Sequence, residues 1–173
     1  MLRLAHRGWL NHAREDQLWP LEGPEDWTIW LILGGRGAGK TRTGAEWVKG
    51  LVEGWPWYPS APVRRIALVG ETIADVRHVM IEGPSGLLAL HGRRDRPAWS
   101  PSLRKLQWRN GAVAYAFSAE DPDSLRGPQF HAAWADELAK WRYPDETWDM
   151  LQFGLRLGKQ PREVVTTSRG QSR

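Results

Sequence analysis

Gly34-Gly-Arg-Gly-Ala-Gly-Lys40-Thr41 is the most informative stretch of this 173-residue chain. It fits the phosphate-loop pattern G-x-x-x-x-G-K-[ST] at every fixed position. Glycines let successive backbone N–H groups turn toward phosphate oxygens, because no Cβ stands in the way. Lys40 would then reach the β- and γ-phosphates of a nucleotide, and Thr41 would offer its hydroxyl to Mg²⁺. The alternative is a chance glycine-rich turn.

The residues on both sides of this loop have the patterns that a phosphate loop requires. Thr28–Leu33 is a continuous apolar run, which predicts a strand buried on both faces. A helix is expected to open at Gly39 or Lys40 and to run to about Glu53. Its apolar positions recur at helical spacing, at Ala45, Val48, Leu51 and Val52. Strand, loop and helix in this order make the chance turn the weaker interpretation.

Strands and helices are predicted to alternate along the rest of the chain. The expected strands are Arg65–Gly70, Leu106–Trp108, Ala112–Phe117, Phe130–Ala135 and Glu163–Thr167. An Asn110-Gly111 turn joins two of them as a hairpin, and helices begin after Thr72 and near Pro144. Residues 83–102 are rich in Gly, Pro and Arg, which predicts an irregular segment. We therefore predict an α/β fold with a mainly parallel sheet flanked by helices, of the P-loop NTPase class (ASCE/RecA-like).

Asp136-Glu137 is a second candidate site, at the end of the predicted strand Phe130–Ala135. A P-loop enzyme that hydrolyses ATP needs an aspartate that holds Mg²⁺, here beside Thr41. It also needs a general base that polarises the attacking water, which is the role expected of Glu137. Taken alone, two adjacent carboxylates at a strand end favour an ordinary solvated turn, because Asp and Glu are mostly exposed. The phosphate loop upstream favours the catalytic interpretation.

The amino-acid sequence around these motifs resembles that of one family, the large terminase subunit of tailed bacteriophages and gene transfer agents. Three stretches carry the resemblance, Trp30–Trp47, Ile66–Gly70 and Ser118–Trp141, and it extends from about Ala13 to Thr167. It implies an ATPase motor that uses ATP and Mg²⁺ to drive double-stranded DNA into a preformed capsid. It also implies a ring of large subunits, a small terminase subunit and a portal protein as partners, in the host cytosol.

The resemblance implies roles for three residues outside the two motifs. Gln17 resembles the adenine-recognising glutamine of the family, and Arg36 resembles an arginine that senses the γ-phosphate. Arg126 resembles an arginine finger that reaches the ATP of a neighbouring subunit. The alternatives are a surface glutamine, a solvated loop arginine and a structural arginine. The expected nucleotide-binding residues are Gln17, Gly34, Gly35, Arg36, Gly37, Ala38, Gly39, Lys40 and Thr41. The expected catalytic residues are Glu137, Lys40, Arg126 and Arg36.

Thr166-Thr167 resembles the coupling motif that links hydrolysis to movement in this family. The family usually continues Thr-Pro, whereas this chain continues Ser168-Arg. We expect an N-terminal leader with the adenine-contact segment over residues 1–26 and an ATPase domain over residues 27–173. The C-terminal end of the ATPase domain and the nuclease domain are expected to be absent, so nuclease activity is not expected from this chain.

A basic segment with two tryptophans, Trp99 and Trp108, is the candidate DNA-binding surface. Its cations are Arg93, Arg94, Arg96, Arg104, Lys105 and Arg109. Cations suit phosphate contacts and aromatic rings suit base stacking, although a charged hairpin is often merely solvated. The tryptophans inside the motif strings are instead expected to pack around the ATP site. They are Trp30, Trp47, Trp134 and Trp141.

Composition excludes several other classes of function. The chain has no cysteine, which excludes disulfide scaffolds, thiol catalysis and Cys-based zinc sites. Its apolar runs are far shorter than the roughly 20 residues that span a bilayer, and we expect a cytosolic protein. Ser118, Ser124 and Ser168 lack a recognisable His and acid partner, which disfavours serine catalysis. Two alternatives remain open: another DNA-dependent P-loop translocase, and a catalytically silent fragment that binds nucleotide or partners.

Overall fold

A computed structural model describes residues 8–18, 27–55 and 63–168, so parts of the predicted leader and the last five residues lie outside the described ranges. The strands are β1 (Ile29–Leu33), β2 (Arg65–Gly70), β3 (Ala98–Ser100), β4 (Lys105–Gln107), β5 (Val113–Ser118), β6 (Ala132–Asp136) and β7 (Arg162–Thr167). Residues 8–12 are helical, and the later helices are α1 (Lys40–Glu53), α2 (Ile73–Asp75) and α3 (Pro144–Gly154). Short 3₁₀ turns cover Glu15–Gln17, Leu87–Leu90, Pro122–Leu125 and Leu138–Lys140.

The strands form one sheet in the order β1-β7-β6-β2-β5-β4-β3 within the described residues. The first five strands in this order, β1, β7, β6, β2 and β5, pair in parallel. The last two, β4 and β3, are antiparallel and lie at one edge. The predicted α/β fold with a mainly parallel sheet is confirmed. Parallel strands have their carboxyl ends at the same edge, so the loops that follow β1, β6 and β7 meet there.

Two apolar cores lie on the two faces of this sheet. On one face the sheet packs against α1, and the buried side chains there include Trp47, Trp55, Ile66, Leu68 and Trp134. On the other face it packs against α3, and the buried side chains include Leu125, Phe130, Leu151 and Val165. Both cores meet the strands that carry the predicted motifs, so packing fixes the positions of those strands.

Close contact between α1 and β6 depends on Gly44. A Cβ built at Gly44 would lie 2.3 Å from Cε2 of Trp134, whose side chain is fully buried beneath the helix. A glycine in the middle of a helix costs about 1 kcal/mol in intrinsic stability relative to alanine. The space that Trp134 occupies explains why the helix carries glycine at this position.

The prediction that β1 is buried on both faces is wrong. Ile29 is 45%, Leu31 53% and Leu33 56% exposed, whereas Trp30 and Ile32 pack against the core below α1. The reason is topological, since β1 is the terminal strand of the sheet and α3 covers the strands further in. The apolar run Thr28–Leu33 therefore predicts the strand correctly, but it does not indicate whether the strand is central or at the edge of the sheet.

Other predicted elements are confirmed with shifted bounds or shortened. The Asn110-Gly111 hairpin joins β4 and β5, and Gly111 has a φ of 87°. Thr72 caps α2, but regular helix ends at Asp75 and a π-helical turn follows over Val76–Ile81. The segment 83–102 is not wholly irregular, because it contains a 3₁₀ turn and β3. Among the helices in the described ranges, none is long and apolar enough to span a bilayer.

Gly44→Ala should destabilise the fold despite the better helix propensity of alanine. Overpacking a tight core typically costs about 1–3 kcal/mol, and the new Cβ would force Trp134 or the helix to move. Urea unfolding should show the loss, and Gly92→Ala is a suitable control because a Cβ there meets nothing within 4 Å. Equal stability of the Gly44 variant and the wild type would contradict this packing.

Glu163→Gln should change how stability depends on pH. Burial raises the pKa of Glu163 from 4.5 to about 7, although Gln152 donates two hydrogen bonds to its carboxylate. The folded chain then holds a proton that the unfolded chain releases, so this group's contribution to stability falls as pH rises from about 4.5 to 7. Relative to wild type, the glutamine variant should gain about 3 kcal/mol across this window. A constant difference in unfolding free energy would contradict it.

Candidate nucleotide-binding site

The phosphate loop connects β1 directly to α1. Gly37 and Gly39 both have a φ of 79°, the left-handed backbone that glycine adopts without a steric penalty. Lys40 is the first residue of α1, and Gly39 precedes it without a side-chain cap. The N–H groups of a helix's first turn have no partner within the helix and attract anions. The loop therefore has the backbone form that cradles phosphates.

Lys40 lies at the centre of the site with 8% of its surface exposed. Its Nζ donates to the carbonyl oxygens of Gly34 at 2.9 Å and Gly35 at 3.1 Å, and to Oγ of Ser168 at 3.2 Å. It also lies 3.5 Å from Oε1 of Glu137. The two sequence motifs, far apart along the chain, thus meet through this ammonium group.

Glu137 follows β6 in a left-handed backbone conformation with a φ of 50°. Oγ of Ser168 donates to its Oε1 at 2.9 Å, and the N–H of Ser168 donates to its Oε2 at 3.1 Å. Burial raises the pKa of this carboxyl, but the Ser168 hydrogen bonds and the charges of Lys140 and Lys40 outweigh it and lower the pKa overall. The side chain is therefore an ionised carboxylate directed toward the phosphate loop.

Asp136 is the last residue of β6 and is 7% exposed. Burial raises its pKa to about 6, against a hydrogen bond from the Thr166 hydroxyl to Oδ1. Nε1 of Trp134 donates to that hydroxyl at 3.0 Å, so the indole and the carboxylate are joined through Thr166. Nε1 of Trp141 donates to the Asp136 carbonyl at 2.9 Å. A buried carboxylate disfavoured by desolvation is one that a nearby cation would stabilise.

The residues present fit Mg²⁺ bound together with a nucleotide. Magnesium prefers one or two carboxylates with phosphate oxygens and waters over a cage made wholly of protein groups. Asp136 supplies the buried carboxylate, and Thr41 supplies a hydroxyl in the first turn of α1. In the described part of the chain, no group of three or more His, Cys, Asp or Glu side chains could hold a metal by itself.

Gln17 is buried against the phosphate loop, which rules out a surface glutamine in a polar leader. It is 8% exposed, and its Nε2 donates to Oγ1 of Thr43 at 3.2 Å. Its Oε1 accepts from the Arg14 N–H at 3.1 Å, while Nη2 of Arg14 donates to the Ala38 carbonyl at 2.8 Å. The segment around Gln17 therefore packs against the phosphate loop and the first turn of α1.

In the described residues, no hydrogen bond or ion pair joins Arg36 or Arg126 to Lys40 or to the acidic pair. Arg36 is exposed on the phosphate loop itself. Arg126 lies between β5 and β6 beside the end of α3, is 71% exposed and pairs with Asp123 at 3.1 Å. Among the described residues, no hydrogen bond or ion pair joins Arg126 to the phosphate loop of the same chain. It is accessible from outside, as a residue acting on another subunit must be.

The predicted DNA-binding surface is only partly a single surface. Arg94 and Arg109 line one cavity of about 550 Å³ with Lys49, whereas Arg104 lies in the turn at the other end of β4. Arg93, Arg94, Arg96, Arg104 and Arg109 are exposed, and Lys105 is half-buried. The proposed stacking role of Trp108 is wrong. Its ring is 5% exposed, and its Nε1 donates to Nε2 of His91 at 3.1 Å.

Sequence reasoning missed Ser168, which contacts both Lys40 and Glu137. In the sequence Ser168 is only a departure from the family's coupling motif, and a serine without the histidine that a nucleophile requires. Its position directly after Thr166-Thr167, at the carboxyl end of a parallel strand, is the signal that could have placed it in the site. Of the tryptophans expected around the site, Trp134 and Trp141 hydrogen-bond to Thr166 and to the Asp136 carbonyl. Trp47 is buried in the core below α1, and Trp30 packs against that core.

Comparison with known proteins identifies the fold. The family model described as "Terminase large subunit, T4likevirus-type, N-terminal" matches residues 31–172. The large terminase of a thermophilic bacteriophage, in complex with ADP, is similar with a TM-score of 0.66 and 18% identity over 89% of this chain and 38% of that chain. The ATPase domain of the Thermus phage P74-26 large terminase gives a TM-score of 0.65 and 17% identity over 96% of this chain and 69% of that domain.

A second structure of the thermophilic bacteriophage enzyme, in complex with ATP-γ-S, has a TM-score of 0.64 and 16% identity over 94% of this chain and 36% of that chain. The chain thus spans less than two-fifths of that bacteriophage protein's length. No curated protein matches the sequence. With a phosphate loop and an acidic pair meeting on a P-loop fold, and a family model that covers most of the sequence, this chain belongs to the large terminase subunit family and matches its N-terminal region.

Proposed function

We propose that this chain hydrolyses ATP as the motor domain of a DNA-packaging terminase and drives double-stranded DNA into a capsid. The observation that carries the proposal is the 3.5 Å approach of Lys40 Nζ to Oε1 of Glu137. This contact brings the phosphate-binding cation and a carboxylate of lowered pKa together at one edge of the sheet. It supports a site in which Lys40 turns from Glu137 to a bound γ-phosphate, and Glu137 is left free to face a water.

Binding of the nucleotide is assigned to the phosphate loop and its neighbours. Backbone N–H groups of the loop and the first turn of α1 would surround the phosphates, and Lys40 would leave the loop carbonyls for the β- and γ-phosphate oxygens. Arg36, exposed on the loop, is proposed to reach the γ-phosphate. Gln17, whose amide lies beside Gly39, is proposed to contact the adenine edge.

Thr41 and Asp136 are the residues proposed to hold Mg²⁺. The ion would neutralise charge on the β- and γ-phosphates when bound. Thr166 orients the Asp136 carboxylate through its hydroxyl, and Trp134 occupies a lone pair of that hydroxyl. The buried hydrogen-bond chain therefore sets the direction in which Asp136 presents its oxygens.

Glu137 is proposed to act as the general base. Its carboxylate would accept a proton from a water whose oxygen attacks the γ-phosphorus, and the bond from that phosphorus to the β–γ bridging oxygen would break. ADP carries away the electron pair of the broken bond, and Lys40 would stabilise the charge that develops on the phosphoryl oxygens. Its lowered pKa keeps Glu137 ionised and ready to accept the proton near neutral pH.

Movement of DNA is proposed to start from the end of β7. The Gly34 N–H donates to the Thr167 carbonyl at 3.2 Å, and the Ala139 N–H donates to Oγ1 of Thr167 at 3.2 Å. A shift of the phosphate loop would therefore reach the segment after Glu137 through Thr167. We also propose that large subunits form a ring in which Arg126 acts on the ATP of the neighbouring subunit. The ring would contact a small terminase subunit and the portal protein. The exposed arginines of the basic segment would contact the DNA backbone.

Lys40→Ala should abolish ATP hydrolysis, because it removes the cation that the phosphates require. Phosphate release with Mg·ATP should fall to the background rate. Lys159→Ala, which removes an exposed lysine elsewhere in the chain, is the matched control and should retain wild-type turnover. Full activity in the Lys40 variant would remove the assignment of this site.

Glu137→Gln should separate binding from hydrolysis. An amide cannot accept the proton of the water, so turnover should fall by about 10²- to 10⁴-fold while the nucleotide still binds. Fluorescence of a labelled ATP analogue measures binding, and phosphate release measures turnover. If binding and hydrolysis are lost together, Glu137 holds the nucleotide and is not the base.

A further inference from the structure

Ser168 is joined to both charged groups of the site by hydrogen bonds whose directions are fixed. A hydroxyl has one proton and two lone pairs, an ammonium group can only donate, and an ionised carboxylate can only accept. Oγ of Ser168 therefore accepts from Lys40 Nζ at 3.2 Å and gives its proton to Oε1 of Glu137 at 2.9 Å. The serine connects the cation to the carboxylate.

The backbone of Ser168 adds a second hold on the same carboxylate. Its N–H donates to Oε2 of Glu137 at 3.1 Å, so each carboxylate oxygen receives one bond from a single residue. Two bonds to the two oxygens fix the rotation of the carboxylate plane. A carboxylate offers about four lone-pair sites, which leaves a further site on each oxygen for a water.

Lys40 Nζ also lies 3.5 Å from Oε1 of Glu137, but a contact with one oxygen alone does not fix the carboxylate plane. The remaining contacts hold the backbone of Glu137 or are exposed. Its N–H donates to the Thr166 carbonyl at 2.6 Å, in keeping with its left-handed φ of 50°. Lys140 approaches Oε2 at 4.0 Å from a side chain that is 58% exposed. Such an exposed pair contributes little to orientation. Orientation of the carboxylate therefore depends on the two Ser168 bonds to its two oxygens, and on Lys40, which contacts both Oε1 and the Ser168 hydroxyl.

We propose that Ser168 is the positioning residue for ATP hydrolysis in this chain. Its hydroxyl sets the angle at which Glu137 faces the attacking water and links that angle to the position of Lys40. The inference rests on the proposed function, because it requires Glu137 to act as a base. Ser168 touches neither the water nor the phosphate in this account, and it acts through Glu137.

Ser168→Ala should lower kcat for ATP by about 10- to 100-fold, the loss expected when a reacting group is misplaced by about 1 Å. The KM for ATP should stay within twofold, since contacts made only in the transition state change kcat alone. Ser168→Thr keeps the hydroxyl and should restore most of the rate. Ser118→Ala, which removes a buried hydroxyl bonded to the Glu71 carbonyl, is the matched control and should turn over at the wild-type rate.

A double-mutant cycle with Glu137→Gln distinguishes positioning from a general structural effect. If Ser168 acts through Glu137, adding Ser168→Ala to the Glu137→Gln variant should change the residual single-turnover rate by less than about twofold, because the two changes are not additive. A structural role would lower that rate by the same factor as in wild type. Thermal unfolding of each variant verifies that all are folded at the assay temperature.

The outcomes separate this inference from the proposed function. A wild-type chain that does not hydrolyse ATP removes the proposed function, and the inference with it. A wild type that turns over while Ser168→Ala matches its kcat overturns the inference alone. An increase in KM without loss of kcat also overturns it, since Ser168 would then contribute to nucleotide binding. The inference is also overturned if Ser168→Ala lowers the hydrolysis rate by the same factor in the wild-type and Glu137→Gln backgrounds.

Discussion

Strand β7 lies between β1 and β6 and pairs in parallel with both, from Glu163 opposite Ile29 to Thr167 opposite Leu33. Its last carbonyls accept from both functional loops, Thr167 from the Gly34 N–H and Thr166 from the Glu137 N–H. The phosphate loop and the acidic pair therefore follow two strands, β1 and β6, that are separated only by β7. The backbones of both are hydrogen-bonded to the end of β7. The arrangement of the site follows from this pairing.

The chemistry of the site follows from how unequally its two carboxylates are solvated and bonded. Asp136 is buried, and its pKa rises to about 6, whereas the Ser168 bonds and two lysines lower the pKa of Glu137. One carboxylate is thus poised for a cation, and the other stays ionised as a proton acceptor. Adjacent residues acquire different properties because Asp136 ends the buried strand β6, whereas Glu137 turns out of it in a left-handed conformation toward Lys40 and Ser168.

Local patterns in the sequence predicted the parts of the molecule that local physics determines. The phosphate loop, α1 and the Asn110-Gly111 turn depend on backbone conformations that specific residues favour. Several features that depend on strand order or on distant packing do not follow from local patterns. The exposure of Leu31 reflects an edge position that an apolar run does not report, and the burial of Trp108 reflects its bond to His91. The contacts of Ser168 appear only once β7 is placed beside β6.

Phosphate release from the purified wild-type chain, with Mg·ATP and with or without double-stranded DNA, tests the central claim most directly. If β7 assembles a working site from the phosphate loop and the acidic pair, the chain should release phosphate over many turnovers in a manner that requires Mg²⁺. Nucleotide binding without phosphate release, in the presence and absence of DNA, would contradict the account. The chain would then be a nucleotide-binding module without turnover.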